Sequence, residues 1–416
     1  NDIMTGDLAD SQQQFVQAID IFEHSMEKEQ YRYNLAASYA GFGEAKRMQG
    51  DYVGALSCYE EAIANCKDYR LSGSAATFYT YAGQAAVDSG DLDQAEEYLS
   101  KAVECFRKGA ENGFPRAQFL LGEAYSRGLG VEQSDEEAAR WYQSAAWLGY
   151  PAAQTELGRC LEFGTGLPQS IEQAVKWYRA AAENGNAPGQ CCLGFLYESG
   201  QGVEQNWEEA VRWYRAAAEQ GMPRAQCNLA WCYEYGKGVE QNWKRAVHWY
   251  RQAADQEDPR GMFCMGICCK YGRGVEQNWE EAVHWYRRAV DAGSAAAMCN
   301  LGVCYERGEG VERDAAEAAR LYRQAAERED AAAQCNLGYL YETGEGVEQN
   351  WQEAVRWYQA AAEQGYPRAQ CNLGVCWEFG HGVAKDPAKA ADLYRQAAEG
   401  GDRVAACNLG YLYETG

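Results

Sequence analysis

The apolar positions between Pro115 and Gly416 recur every 36 residues without an insertion or a deletion. A small residue marks the period: Gly122, Gly158, Gly194, Gly266, Gly302, Gly338, Gly374 and Gly410 share one slot, which Ala230 fills in the remaining copy. A large one keeps step with it at Tyr142, Tyr178, Tyr214, Tyr250, Tyr286, Tyr322, Tyr358 and Tyr394. Each unit reads as helix, glycine loop, helix. In the stretch from Pro223 to Tyr235 a proline suited to the first turn opens a helix. Gly236 and Gly238 stop it, because a left-handed residue without a Cβ closes a helix at little steric cost. Val239 is predicted to plug the loop into the core and Asn242 to cap the second helix; in Asn206 to Glu209, the glutamate three residues on predicts a capping box. In the second helix Ala210, Trp213, Tyr214 and Ala217 fall three and four apart and form one apolar stripe. Units this short cannot each enclose a core, so they must stack on one another. The prediction is an all-α, α/α solenoid whose core grows lengthwise.

Before Pro115 the rhythm changes. Ala55, Tyr59 and Ala62 follow Tyr39 and Gly43, and the pattern returns 40 residues later as Tyr79, Gly83, Ala95, Leu99 and Ala102. Ala18, Phe22 and Ser25 read as the second helix of an earlier, truncated unit. These spacings, with the tight turns Gly50-Asp51 and Gly90-Asp91, resemble tetratricopeptide repeats. From residue 115 onward the order Leu-Gly, Tyr, Gly-x-Gly-Val, Ala, Trp-Tyr and Ala-Ala resembles the Sel-one-like repeat family of the tetratricopeptide superfamily. Eight full copies and the first helix of a ninth carry the resemblance. No linker rich in Pro or Ser separates residues 1–114 from 115–416, and a helix from about Leu92 to Asn112 is read as shared between them, so one continuous rod is expected. The resemblance implies a right-handed superhelix that acts as an adaptor or scaffold for protein complexes, with no general catalytic residues. A cysteine-rich bacterial branch of the family bridges its helices by disulfides and is linked to β-lactam binding. Here Ala146, Ala182, Ala218 and Ala254 stand where that branch has its second cysteine, so the activity is not carried over. Within the chain Cys269 departs from a recurrent Tyr, Lys270 from a recurrent Glu, and Glu257 and Glu329 from the glycine that ends the second helix. The changes at 256–272 read either as drift of one repeat or as a bend or local contact site.

Composition narrows the partners. Sixty-one acidic against 38 basic side chains give a net charge of -23, which repels phosphate backbones and anionic lipid. No apolar run reaches the roughly 18 residues of a membrane span, and the first 30 residues show no basic start followed by an apolar stretch. Nucleic acid and membrane insertion are therefore not expected. Of the 17 cysteines, Cys191, Cys227, Cys299, Cys335, Cys371 and Cys407 stand three before the repeat glycine. Cys160, Cys232, Cys268, Cys304 and Cys376 stand two after it. Within a helix the two slots are roughly 140° apart, and equivalent slots in stacked repeats are about 8–10 Å apart, beyond the roughly 7 Å that a disulfide spans. Free, mostly buried thiols and a reducing, cytoplasmic location are expected.

The candidate chemistry lies in rows. If first helices line the concave face, as in the families this chain resembles, then Asn228, Asn300, Asn336, Asn372 and Asn408, two before the glycine, form a ladder. An amide offers a donor and an acceptor, so such a row can grip the backbone of an extended peptide; alternatively, each amide bonds the neighbouring repeat. A second row, four after the glycine, holds Glu162, Glu198, Glu234, Glu306, Glu342, Glu378 and Glu414, and a third, six before it, Arg116, Arg224, Arg260 and Arg368. Both rows oppose the helix macrodipole, at about 0.3–1 kcal/mol per exposed site, so either they pair with adjacent repeats or they edge a groove for basic ligands. Trp207, Trp243, Trp279 and Trp351 begin second helices and are read as covers for the ends of the core, with a partner hot spot as the lesser alternative. His248 and His284 occupy a solvent-facing slot, and Cys264 with Cys268 lacks the paired spacing of a zinc site. Each Gly-x-Gly closes a helix and does not open a nucleotide motif. No metal and no cofactor are expected. The reading is a non-catalytic scaffold that binds extended, basic protein segments in its concave groove. Its alternatives are a regulatory or substrate-targeting part of a larger enzyme or signalling protein and, third, a thiol-based redox or metal sensor. Gly416 falls at the end of a first helix, and an apolar face bared there is expected to favour end-to-end association.

Overall fold

The computed structural model describes residues 12–21, 28–66 and 72–415. Phe22 and Ser25, read above as part of an early second helix, lie outside them. Among the described residues all regular structure is helical, in 22 helices packed in tandem along the chain. The fold is the expected α/α solenoid of stacked helix pairs. The chain forms two compact units, residues 1–206 and 207–416.

The first unit opens with α1 (residues 12–21), α2 (Lys28–Met48), α3 (Tyr52–Asn65), α4 (Ser72–Ser89) and α5 (Leu92–Glu111). Both predicted tight turns are present: Gly50 and Gly90 take φ of 80° and 86°, and Asp51 and Asp91 then cap α3 and α5 by accepting from the backbone N–H groups of Gly54 and Gln94. From α6 (Pro115–Arg127) through α7 (Asp135–Trp147), α8 (Pro151–Phe163), α9 (Ile171–Glu183) and α10 (Ala187–Ser199), every helix has 13 residues.

The second unit continues the alternation. Its second-type helices are α11 (Trp207–Glu219), α13 (Trp243–Asp255), α15 (Trp279–Asp291), α17 (Ala315–Ala326), α19 (Trp351–Glu363) and α21 (Pro387–Glu399). Between them stand the first-type helices α12 (Pro223–Tyr235), α14 (Pro259–Tyr271), α16 (Ala295–Arg307), α18 (Ala331–Thr343), α20 (Pro367–Phe379) and α22 (Arg403–Thr415).

One loop shows how the repeat is built. Gly236, at φ 66°, closes α12 with its N–H on the Cys232 carbonyl. Asn242 caps α13 by accepting from the Arg245 N–H at 3.0 Å. Between them Gly238 lies against the start of the previous second helix: a Cβ there would stand 2.2 Å from the Trp207 carbonyl oxygen. The residue that ends each second helix is also left-handed, and the two departures from glycine keep that geometry, with φ of 61° at Glu257 and 64° at Glu329. Open space surrounds the equivalent Gly293, so a side chain there meets only the left-handed strain of about 1–2 kcal/mol.

Inside each repeat the small and large slots meet. The Tyr322 ring is fully buried and lies where a Cβ on Gly302 would be 2.6 Å away. A row of buried glutamines adds polar ties: Gln226, Gln334 and Gln370 each donate to a carbonyl at the end of the preceding second helix, those of Ala218, Ala326 and Ala362. First-helix N-caps differ from repeat to repeat; Ser294 caps α16 by accepting from the Ala297 N–H at 3.3 Å. Asn186, Asp258, Asp330 and Asp402, each 72 residues after the last, accept from the backbone N–H of Gly189, Gly261, Ala333 and Ala405. Tyr150, Met222 and Tyr366 give no side-chain cap. Thr155 donates to Asn186 at 2.8 Å and the Cys227 thiol to Asp258 at 3.5 Å, so the acidic and amide caps also tie one first helix to the next.

Candidate interaction surface

All five ladder asparagines are half-buried on first-type helices. Asn336, Asn372 and Asn408 donate through Nδ2 to the Sγ atoms of Cys299, Cys335 and Cys371, one repeat back, at 3.8, 3.8 and 3.9 Å. Burial pushes the Cys299 and Cys335 thiols up to about 12 and that of Cys371 up to about 11, so the acceptors are neutral sulfurs. Asn300 has Phe263 in place of that cysteine and turns back to its own helix, donating to the Ala296 carbonyl at 3.0 Å. Asn228 accepts from Arg260 at 2.8 Å. In Asn336, Asn372 and Asn408 the nitrogen is held by the stack, and the oxygen is the group that can meet a ligand.

The acidic row is drawn inward. Tyr178, Tyr250, Tyr322, Tyr358 and Tyr394 donate their hydroxyls to Glu162, Glu234, Glu306, Glu342 and Glu378 of the same repeat, at 2.6–2.8 Å. Burial together with the adjacent carboxylate raises each of these phenols far above its ordinary range. Glu234 is itself buried, while Glu162, Glu306, Glu342 and Glu378 keep partial exposure and Glu414 is exposed. Of the arginine row, Arg224, Arg260 and Arg368 are exposed, and Arg260 reaches Asn228 of the preceding repeat. Glu198, on α10 of the first unit, is half-buried.

Lys270 breaks the tyrosine–glutamate pattern. It takes the glutamate slot opposite Tyr286, whose hydroxyl is buried without a hydrogen-bond partner. Tyr322→Phe is therefore expected to lose about 1.5–3 kcal/mol, the value of a hydrogen bond to a charged group. Tyr286→Phe is expected to be neutral or stabilising, because it removes an unsatisfied hydroxyl. Urea denaturation of the two variants side by side checks the contrast, which equal losses would refute.

Two further rows escaped the sequence reading. Arg107, Arg179, Arg215, Arg287, Arg323 and Arg395 each donate to a tyrosine hydroxyl of the next repeat, 18 residues on, at 2.9–3.2 Å. The signal was available: where Leu161 and Trp377 replace that tyrosine, Gln143 and Gln359 replace the arginine. The second row lies at the loop edge. The Trp207, Trp243, Trp279 and Trp351 side chains are half-buried at the first turn of their helices. Lys237 lies 5.7 Å from the Trp207 ring centre, Arg273 5.0 Å from that of Trp243 and Lys270 5.5 Å from that of Trp279, and the His381 ring is 4.3 Å from Trp351. Among the described residues no group of three or more His, Cys, Asp or Glu is placed to hold a metal ion, and no helix is long and apolar enough to cross a membrane.

Comparison with known proteins was made on this basis. The family model described as Sel1 repeat matches ten consecutive segments, from 79–114 through 367–402 to 403–416. It takes in residues 79–114, one unit further toward the N-terminus than the period counted from the glycines. A Sel1 repeat protein from Oxalobacter formigenes is 34% identical, over 59% of this chain and 96% of that one, with a TM-score of 0.55. The protective antigen c5321, present in uropathogenic Escherichia coli strains and displaying the same repeat fold, is 28% identical over 94% of this chain and 91% of its own, with a TM-score of 0.43. A search of curated proteins gave no match.

Proposed function

The chain belongs to the Sel1 repeat family, whose members typically serve as protein–protein interaction scaffolds, and from that premise we propose that it is a non-catalytic scaffold that takes extended, basic protein segments along its first-helix row. The observation that carries this reading is the anchoring of Asn336, Asn372 and Asn408. The contact to sulfur, though long, turns each nitrogen toward the stack, and the carbonyl oxygens then serve as acceptors at intervals of one repeat. Acceptors in a row select donors: the backbone N–H groups of an extended peptide, and lysine or arginine side chains. The net charge of -23 favours the same partners by steering cations toward the chain.

Panning a random peptide library against the chain, with the variant Asn300→Ala/Asn336→Ala/Asn372→Ala/Asn408→Ala as counter-screen, tests the proposal. Enrichment of basic peptides that the variant no longer holds is the expected result. Long N–H···S contacts are weak, so the variant should keep its helicity and most of its stability. Peptides retained by a folded variant would mean that the asparagines serve the stack alone.

A further inference from the structure

The two repeats that span residues 223–294 differ from the rest of the chain in charge. They hold ten Lys and Arg against nine Asp and Glu, so the excess of acid behind the net charge of -23 lies entirely outside them. They also hold the cations of the loop-edge row. Among the described residues neither Lys237 nor Lys270 has a carboxylate within ion-pairing distance, and Arg273 has only Glu234, at 3.8 Å. In so acidic a chain these three cations rest on aromatic faces instead. Lys237 covers Trp207, Arg273 covers both Trp243 and Tyr271, and Lys270 covers Tyr271 and Trp279. Further rings widen the strip: Trp231 stacks on Trp207 at 5.7 Å and meets Tyr235 at 4.9 Å. Tyr235 and Tyr271 are 54% and 53% exposed, as Phe163 and Phe379 are in the same slot of other repeats.

Lys270 shows that the strip is held against the interest of the fold. A glutamate in that slot would bond the Tyr286 hydroxyl, as in the repeats with Glu234 and Glu306, and the lysine leaves that hydroxyl orphaned. Lys270 is itself buried, with its ammonium over Tyr271 and Trp279, so it adds positive charge beneath the strip at the cost of a hydrogen bond in its own repeat. One end of the strip is bounded by charge. The loop position that carries Lys237 and Arg273 in successive repeats carries Glu309 in the next.

We propose that the strip from Trp207 through Trp243 to Trp279 docks an acidic protein segment in extended form, its carboxylates on the exposed Lys237 and Arg273 and its apolar side chains on the exposed rings. This surface is separate from the asparagine row and takes a partner of the opposite charge, so either proposal can fail alone. Charge complementarity selects the occupant: exposed cations set on ring faces, with Glu234 at 3.8 Å from Arg273 as their only nearby carboxylate among the described residues, are matched by Asp and Glu. A polyanionic nucleic acid also stacks on such rings, but the acid outside the strip would repel the long phosphate backbone. With about 10 Å between stacked repeats, three tryptophans span roughly the length of a seven-residue extended segment.

The test is fluorescence anisotropy on the full chain with three labelled probes of about ten residues: a peptide alternating Glu with Phe and Leu, the same peptide with Lys for Glu, and an oligouridylate. Expected is binding of the Glu peptide that weakens with salt and falls about tenfold or more in Lys237→Glu/Arg273→Glu, as reversal of two contact charges implies. Lys270→Glu separates docking from folding. It should weaken the Glu peptide yet raise Tm by about 2–4 °C, because it restores the bond to Tyr286. The proposal is overturned if the Glu peptide fails to bind, if a folded Lys237→Glu/Arg273→Glu variant binds it unchanged, or if the oligouridylate is preferred.

Discussion

Gly346→Ala is expected to remove about 3 kcal/mol or more of stability, whereas Gly293→Ala, an identical change at another left-handed glycine, should cost only about 1–2 kcal/mol. Both residues have positive φ, 70° and 85°, so the backbone strain is similar. They differ in what the new methyl group meets. At Gly293 nothing lies within 4 Å, but at Gly346 the Cβ would stand 2.1 Å from the Ala315 carbonyl oxygen and 2.3 Å from its carbon. Those atoms belong to the first turn of α17 and cannot rotate away, so the loop must lift from the helix on which it sits. Glu329, in the same slot one repeat after Gly293 and at φ 64°, already shows that the open slot accepts a side chain. Urea titration of both variants, followed by circular dichroism, gives the two losses directly. If they are equal, the loop is not seated on the preceding helix as described.

A second large effect is alkaline unfolding. Cys268, Cys299 and Cys335 are raised from the ordinary thiol value near 9 to about 12, in each case chiefly by burial away from water. Below pH 9 these thiols are protonated whether the chain is folded or not, and they give stability no pH dependence. Between pH 9 and 12 the unfolded chain releases protons that the folded chain retains. The unfolded state then binds fewer protons, and stability falls as pH rises. At about 1.4 kcal/mol per group and pH unit, these three alone remove roughly 4 kcal/mol per unit once the unfolded thiols are ionised. Against a total of about 5–15 kcal/mol for a typical domain, the second unit should unfold between about pH 10 and 11. Urea midpoints measured under reducing conditions at pH 7, 8 and 10 should be level for the first pair and clearly lower for the last. A midpoint that stays constant to pH 11 would show that the thiols are not buried in the stable state.

The helix pairs were legible because the period in sequence is the period in space: a glycine or alanine slot and a tyrosine slot, each at 36-residue spacing, have no other way to make a core. The use of the polar rows was less legible. Glu306 and Tyr322 were both visible as members of rows, yet their bond joins two helices across a loop whose geometry the spacing does not state. The asparagine and cysteine slots are adjacent in sequence, but Asn336 meets the cysteine of the repeat before, not its own neighbour Cys335. Side-chain partners between stacked repeats depend on the offset from one helix to the next, and a one-dimensional period leaves that offset open. Internal exceptions were the better guide. Gln143 with Leu161, and Lys270 with the orphaned Tyr286, mark pairs by the way one member changes with the other.

The acidic and amide caps recur at every second repeat: Asn186, Asp258, Asp330 and Asp402 are 72 residues apart, and the bonds from Thr155 and Cys227 reach Asn186 and Asp258 from the repeat before. The slot of Thr155 and Cys227 holds a thiol in both kinds of repeat, as Cys191, Cys299, Cys335 and Cys371 show, with Phe263 as an exception. A gene that gains or loses one repeat by unequal recombination therefore still sets a donor beside most capping side chains. Copy number can drift by single repeats, because the junction is written into the slot and not into the order of the copies.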